Sequence, residues 1–296
     1  MSRSSISRES FAELFPTLCA HDTAAGGGKG WTPDNPTWGH CAVASLLAQR
    51  EFGGELLRIS LARTEFAEGG SHYFNRFPDG DVCDVTKAQF GGRLRWADIS
   101  PAETRTRAYV IGGADTRVRY AKIAFRFAAA TSGGNALFDD PIYRACLIAA
   151  YASPCKKSGF GAVVFQRNRG IVATDNNHQI DCLRDLCEPQ CIRLRIVSRT
   201  ESMIGACGHA EEWALKEARD AGARLDECDL YVAGVAADGT PLIKDFAEHS
   251  CLRCAIAMHF AGLRSVQVPV RDHWEALTTA EVIGTARAYA LGQKKA

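Results

Sequence analysis

Two short stretches decide the fold of the second half of this 296-residue chain, residues 207–215 (CGHAEEWAL) and residues 251–258 (CLRCAIAM). Each begins a run of apolar residues at helical spacing, and a predicted strand lies between them. Outward from them, the sequence predicts an alternation of helices (140–152, 211–221, 251–261, 281–290) and strands (160–166, 171–174, 229–234, 265–270). Strands that alternate with helices predict a three-layer α/β domain.

The same two stretches contain the residue types that hold zinc. Cys251 and Cys254 are three positions apart at the start of a predicted helix, so both sulfurs lie on one helix face, and a helix N-terminus favours thiolates. His209, at the start of another helix, can add an imidazole, and three protein ligands leave one tetrahedral position open, as in catalytic zinc sites. Glu211 is expected to carry the protons of the activated water.

Chance and core packing offer an alternative explanation for each half of this pattern. A chain with 12 cysteines contains about one C-x-x-C pair by chance, and H-x-E alone also occurs at solvated helix starts. We favour the zinc site because both motifs begin helices and a strand lies between them. The rival from another functional class is a zinc-stabilised binding module without turnover, which would not need Glu211.

A second group of candidate ligands precedes this site: His178, Cys182, Cys187 and Cys191. Four potential ligands this close in sequence can close a structural zinc site. The alternative is a set of reduced, buried thiols without a metal.

The first half ends at a linker, residues 131–135 (TSGGN), and carries a different set of residues. Cys41 begins a predicted helix, His72 lies on a later strand and Asp84 on the next, which is a plausible chain order for a Cys–His–carboxylate triad. A two-residue turn in the hairpin would put His72 on the face opposite Asp84, and a three-residue turn would put both on one face. The alternative is a cysteine packed as a small hydrophobe and a histidine in an ordinary hairpin.

Composition and charge narrow the choice of partners. The chain is 46% hydrophobic and 23% charged, with a formal net charge of +1, which excludes wholesale disorder and a global basic field for nucleic acid. A small-molecule substrate is favoured, and a nucleic acid bound through a local patch stays open. No stretch is long and apolar enough to span a membrane, and residues 1–11 lack an apolar signal core, so we expect a cytoplasmic protein. In that compartment, clustered cysteines indicate metal binding or catalysis.

With its H-A-E and C-x-x-C motifs and its order of elements, the second half resembles the zinc-dependent cytidine/deoxycytidylate deaminase superfamily over about residues 139–290. The resemblance implies a three-layer α/β/α domain, here residues 139–296. It implies hydrolytic deamination of an aminated nucleobase in a cytidine- or deoxycytidylate-type nucleoside or nucleotide. The motif residues would act as one catalytic Zn²⁺ site with its proton shuttle. Ser250 stands where that family usually has proline.

The same resemblance implies further sites. An asparagine after the second strand of such domains contacts the sugar or base, which points to Asn176 or Asn177; the alternative is an asparagine pair that ends a strand in a turn. Some members carry a cysteine-rich insert similar to the second group of candidate ligands, which implies a second, structural Zn²⁺. The long stretch 194–208 departs from that pattern. Such domains commonly form homo-oligomers, so we expect one here.

The first half is similar to the YunG-like family over about residues 35–130, in pieces such as 38–41 (WGHC) and 71–75 (SHYFN). The resemblance indicates an α+β domain, here residues 1–132, of a papain-like or similar type, and says little about chemistry. Members often have glutamine before the cysteine, where a papain-like enzyme places an oxyanion donor; here His40 stands there, and its imidazole N–H can serve. A thiol hydrolase in this domain is the third functional hypothesis.

Overall fold

The structure is a computed structural model that describes residues 6–95, 101–187, 191, 207–245 and 251–291. Ser250 and residues 194–206, which bear on the expectations above, lie outside the described residues. The chain divides into two compact units, Met1–Phe127 and Ala128–Ala296. None of the described helices is long and apolar enough to cross a membrane.

The first unit combines four helices and a small sheet in its described part. The helices are α1 (Arg8–Leu18), α2 (Cys41–Phe52), α3 (Arg107–Ile111) and α4 (Ala114–Ala130), whose last residues pass the unit boundary; the strands are β1 (Glu55–Ser60), β2 (Ser71–Arg76), β3 (Val82–Cys83) and β4 (Glu103–Arg105). The sheet is antiparallel, in the order β3-β2-β1-β4. Leu57, Ile59, Phe74 and Phe90 form part of its buried core.

The β2–β3 hairpin fixes which side chains share a face. Asn75 pairs with Cys83, and residues 78–80 form a three-residue turn that a 2.8 Å backbone hydrogen bond closes. Because successive side chains of a strand point to opposite faces, this register puts Asp84 on the same face as His72. The structure therefore contains the longer of the two turns considered for this hairpin.

The second unit contains a central sheet with helices on both sides. The helices are α5 (Pro141–Ala152), α6 (Ala210–Asp220), α7 (Leu252–Ala261) and α8 (Thr279–Ala290); the strands are β5 (Ser158–Gln166), β6 (Gly170–Asn176), β7 (His178–Gln179), β8 (Cys207–Gly208), β9 (Cys228–Ala236), β10 (Ser265–Val270) and β11 (His273–Leu277). The main sheet has the order β11-β10-β9-β5-β6; β9 and β10 are parallel, and its other pairs are antiparallel. The short strands β7 and β8 pair separately.

Alternating side chains of this sheet explain the layers. On one face, apolar residues such as Ala162 and Leu230 pack against α6, α7 and α8 through residues such as Ala214 and Met258. The opposite face carries Gly161, against which the backbone of α5 packs. The second unit therefore has the three-layer α/β/α arrangement that the sequence predicts.

The contact at Gly161 generates a prediction about stability. A Cβ atom at this position would overlap the carbonyl oxygen of Cys146 and the side chain of Ala149. We expect Gly161→Ala to push α5 off the sheet and to lower the free energy of unfolding by about 1–3 kcal/mol, measured by urea denaturation. Gly284, exposed in α8 with open space around it, is the matched control. Gly284→Ala should stabilise by about 0.5–1 kcal/mol, and equal losses in both variants would contradict the close packing.

Candidate active site

Three side chains of the second unit converge on one point. His209 Nδ1 lies 3.1 Å from Cys254 Sγ and 3.2 Å from Cys251 Sγ. The three ligand atoms all lie within 4.8 Å of one another. In the part of the chain that the structure describes, no other group of histidine, cysteine and carboxylate side chains has this spacing.

The site forms where two helix starts meet. His209 is the N-cap of α6 and Cys251 is the N-cap of α7, where its sulfur accepts a 3.5 Å hydrogen bond from the Cys254 backbone N–H. A hydrogen bond from the Cys254 thiol lowers the pKa of Cys251 to about 3, and His209 adds to this effect against the burial of the site. Cys251 in turn raises the pKa of Cys254. The hydrogen bond and the helix N-terminus therefore both favour a thiolate at Cys251.

Arg253, between the two cysteines, connects the helix starts. Its Nη2 donates to the Cys207 carbonyl oxygen at 3.2 Å, and its guanidinium forms an ion pair with the Glu212 carboxylate. That carboxylate also accepts a 2.9 Å hydrogen bond from the His209 backbone N–H. The motifs that predict the metal site do not include this pair of residues. The glutamate three positions after a helix N-cap, as in a capping box, is a signal that would have found Glu212.

Glu211 lies in the first turn of α6 and is only 6% exposed. Cys251 is the main cause of the raised pKa of His209, and the Glu211 carboxylate contributes to it. Glu211 likewise adds to the raised pKa of Cys254, which Cys251 and burial dominate. The carboxylate is thus within electrostatic reach of two of the three convergent side chains, and it is outside the set with ligand spacing. This placement fits a proton carrier beside the metal.

The donor set fits zinc. Two cysteine sulfurs and an imidazole nitrogen are ligands that Zn²⁺ takes in proteins, whereas Mg²⁺ and Ca²⁺ require oxygen ligands. The convergence of the three ligand atoms leaves one corner of a tetrahedron for water or substrate. His209, Cys251 and Cys254 are therefore the residues that would hold the metal.

The two asparagines at the end of β6 have different surroundings. Asn177 is fully engaged: its Oδ1 accepts from Phe160 N–H at 2.6 Å and lies 2.8 Å from Ser153 Oγ, and its Nδ2 donates to the Ser158 carbonyl at 3.0 Å. The Oδ1 atom of Asn176 is buried and has no hydrogen-bond partner among the described residues. Asn176 pairs with Gly161, so its side chain lies on the face of the sheet that packs against α5, opposite α6 and α7. Asn177 is held in place by the hydrogen bonds above, and a substrate contact by either asparagine stays a prediction.

The second group of predicted ligands does not converge in the described structure: His178, Cys182, Cys187 and Cys191. Cys182 is exposed, and the His178 ring stacks on the Trp213 indole with ring centroids 4.5 Å apart. Cys187 and Cys191 are buried. Cys187 and Cys191 both lie close enough to Cys207 to raise its pKa, a rise that burial dominates, and a second metal held by the four predicted ligands stays a prediction.

In the first unit, Cys41, His72 and Asp84 lie together. His72 Nε2 is 2.6 Å from Asp84 Oδ2, and both side chains are buried. Cys41 is the first residue of α2, is half-buried, and lies close enough to His72 for each residue to shift the pKa of the other. Burial would raise the pKa of Cys41, but His72 lowers it below its usual value. Burial opposes the charge of His72, yet Asp84 and Cys41 raise its pKa to about 9.

His40 does not provide the oxyanion donor considered for it. Its Nδ1 lies 2.9 Å from the Trp38 carbonyl oxygen and its Nε2 lies 2.9 Å from Thr23 Oγ1, so both ring nitrogens are engaged. The sequence analysis assigned no role to Gln89, whose Nε2 lies 3.4 Å from His72 Nδ1. No spacing in the sequence singles out Gln89, because only the folded hairpin brings the histidine to it.

The metal centre generates a prediction about metal content. Because each ligand is one of three, His209→Ala, Cys251→Ser and Cys254→Ser should each reduce zinc affinity by more than about 100-fold, beyond the range for residues that only support ligands. Metal analysis of the purified proteins by mass spectrometry measures this loss. Cys83→Ser, at a half-buried cysteine of the first unit, is the matched control and should keep its zinc. Zinc retained in all three ligand variants would contradict the assignment.

Comparison with known proteins divides the chain in the same place. The family model of the cytidine and deoxycytidylate deaminase zinc-binding region matches residues 139–269, which include all three convergent ligands. The family model of the YunG protein matches residues 8–130. No curated protein matches the chain. The match in the second half indicates a zinc-dependent hydrolytic deaminase, and the chain carries a region similar to the YunG protein followed by a region similar to the cytidine and deoxycytidylate deaminase zinc-binding region.

Proposed function

We propose that the second unit removes the exocyclic amino group of a cytosine-type base in a nucleoside or nucleotide and releases ammonia. The observation that carries this proposal is the buried Glu211 beside the convergent His209, Cys251 and Cys254. The family match supports the reaction class. A binding module held together by zinc needs the three ligands but gives no reason to bury an acid next to them, because an ionisable group is costly to bury.

Glu211 performs the proton transfers in this reaction. Zinc at the three ligands supplies Lewis-acid activation of water near neutral pH. The Glu211 carboxylate accepts a proton from the attacking water and delivers protons to the adjacent ring nitrogen and to the departing amino group. The C–N bond breaks, ammonia leaves, and a carbonyl remains on the base. Burial of Glu211 keeps bulk water from competing for these protons.

A small nucleoside or nucleotide is the substrate class that the chain favours. Its formal net charge of +1 provides no global field for a polyanion. Asn176 or Asn177, at the end of the second strand of this unit, is the hydrogen-bonding group for the sugar or base that the family resemblance points to, and the variants below test both. A nucleic-acid substrate would instead require a local basic patch, which is an outcome that the substrate screen below can reveal.

The proton-transfer role predicts that Glu211→Gln keeps zinc and loses turnover. The amide has nearly the same shape but cannot accept the proton, so kcat for ammonia release should fall by roughly 10²–10⁴-fold. The measurement is an ammonia-release assay over cytosine-containing bases, nucleosides, nucleotides and oligonucleotides, with metal analysis of the same samples. Glu217→Gln, an exposed glutamate on the same helix, is the control. Unchanged ammonia release by the zinc-loaded Glu211→Gln protein would refute the proposed mechanism.

The two asparagines are expected to respond differently to substitution. Asn176→Ala removes an unpartnered oxygen, so it should leave the unfolding free energy nearly unchanged, and if this side chain contacts the substrate it should raise KM about tenfold, the loss of one hydrogen bond. Asn177→Ala breaks several hydrogen bonds of the fold and should cost about 1–3 kcal/mol of stability. Steady-state kinetics and thermal denaturation of both variants test this. An Asn176→Ala protein with wild-type KM would remove Asn176 from the substrate site.

A further inference from the structure

We propose that the first unit carries a second, separate activity: a cysteine hydrolase that cleaves an acyl C–N bond, with Cys41 as nucleophile, His72 as acid–base and Asp84 as the carboxylate that orients the histidine. The deaminase proposal does not use these residues, and they belong to a unit of their own. The substrate class is an amide, whether a peptide, an isopeptide or a side-chain amide.

The histidine is held in one orientation. Its Nε2 contacts Asp84 Oδ2 at 2.6 Å, so Nδ1, which lies 3.4 Å from Gln89 Nε2, is the ring nitrogen that can exchange a proton with the Cys41 thiol. The ring packs edge-on against Phe90, with centroids 4.9 Å apart, and stacks near Phe74. Asp84 is fixed in turn, because its Oδ1 accepts hydrogen bonds of 3.0 Å from the backbone N–H and the hydroxyl of Thr86. A nucleophile, a base and an orienting carboxylate in sequence form the arrangement of a catalytic triad.

The nucleophile lies where an anion is stabilised. Cys41 opens α2, a helix of 12 residues, and no described side chain caps its first turn. The ring of His40, the N-cap residue, is engaged with Trp38 and Thr23 instead. The first N–H groups of a helix have no partner within the helix, so those of α2 can bind both a thiolate and the oxyanion that forms on an attacked carbonyl.

Protonation of the leaving group indicates the substrate class. An amine leaves a tetrahedral intermediate only when it receives a proton, whereas a thiolate leaves without one. The buried Asp84 carboxylate, 2.6 Å from His72 Nε2, favours the imidazolium and raises the pKa of His72, so the ring can supply that proton from Nδ1. A protonated acid beside the nucleophile therefore favours an amide over a thioester.

The reaction balances with water as the only co-reactant. The Cys41 thiolate forms a C–S bond to the carbonyl carbon, and the carbonyl electron pair moves to oxygen. The pair returns, the C–N bond breaks, and the departing nitrogen takes the proton from His72 Nδ1. Water then attacks the thioester and gives its proton to His72. The C–S bond breaks, Cys41 leaves as a thiolate, and a carboxylic acid is released.

Acyl transfer by the full-length protein tests the first and last steps. With p-nitrophenyl acetate as an activated acyl donor, we expect a burst of nitrophenol, an acetyl thioester that peptide mapping places on Cys41, and continued turnover. Cys41→Ala should abolish all three. Cys83→Ala, at another half-buried cysteine of this unit, should abolish none. A stable, unhydrolysed acetyl group on Cys41 would show a reactive thiol without hydrolase function and would overturn the proposal.

The Asp84→Asn variant tests whether Asp84 positions His72 for the reaction or only stabilises the fold. The substitution keeps the shape but not the charge, so it should slow acylation by roughly 10²–10⁴-fold and shift its pH profile. If this variant misfolds, an alkylation experiment on the wild-type protein tests the proposal instead. Iodoacetamide should alkylate Cys41 faster than Cys83 below pH 8, because burial raises the pKa of Cys83. Equal alkylation rates would contradict the proposal.

Two further experiments test whether the substrate is an amide and whether this site works independently of the zinc site. A mixture of peptidyl aminocoumarin amides should release aminocoumarin in a Cys41-dependent manner, and cleavage of the ester without any amide would overturn the assignment to C–N bonds. The acyl-transfer activity should persist in Glu211→Gln and after removal of zinc by a chelator. Loss of activity in both would mean that the two reactions share one site.

Discussion

The ion pair between Arg253 and Glu212 holds together the parts of the second unit on which its chemistry depends. The three candidate ligands come from the starts of two helices that are separated in sequence by a strand of the central sheet, and neither helix start alone supplies all of them. The Glu212 carboxylate contacts Arg253 on α7 and the backbone of His209 on α6. The Glu212 side chain therefore contacts both the first turn of α6 and the first turn of α7. Such supporting contacts hold metal ligands in the orientation that a metal centre requires.

The first unit uses the start of a helix for a different purpose. At Cys41 the positive end of α2 faces a thiol, and an imidazole held by a buried carboxylate lies beside it. A buried group of charged side chains such as Cys41, His72 and Asp84 is a poor source of stability. Three well-packed apolar side chains in the same place would often stabilise the fold as well or better. The presence of this group is better explained by chemistry than by folding.

The sequence predicted the elements well where local signals and tertiary structure agree. The helices that carry His209 and Cys251, and the strands of the three-layer sheet up to β10, follow from apolar periodicity. Strand β11 was missed because its hairpin turn contains Arg271 at φ 54°, a conformation for which a sequence signal expects glycine or asparagine. Tertiary hydrogen bonds support that turn, from Asn135 Nδ2 to the Arg271 carbonyl and from Arg271 N–H to the Lys244 carbonyl, and such contacts cannot be read locally.

The site residues also differ in whether local sequence signals or only tertiary contacts reveal them. The spacing of His209, Cys251 and Cys254 gave the convergent group because each residue type has few other reasons to stand at a helix start. The roles of Asn176 and Asn177 could not be separated from sequence, since the difference lies in contacts with residues on other elements. Arg253 also went unnoticed, because an arginine inside a C-x-x-C motif acquires its meaning from a partner on another helix.

The surroundings of the cysteines matter more than their number. Burial raises the pKa of Cys19 to about 12, and such a thiol packs as a small hydrophobe and is inert at neutral pH. Cys41 and Cys251 are also partly buried, but each lies at a helix start beside a polar partner, which is His72 for Cys41 and the Cys254 thiol together with His209 for Cys251. These partners lower the pKa of each thiol. The difference between a packing cysteine and a reactive one is therefore a second residue, so a cysteine-rich sequence is interpreted best by asking which thiols the fold can pair with an imidazole.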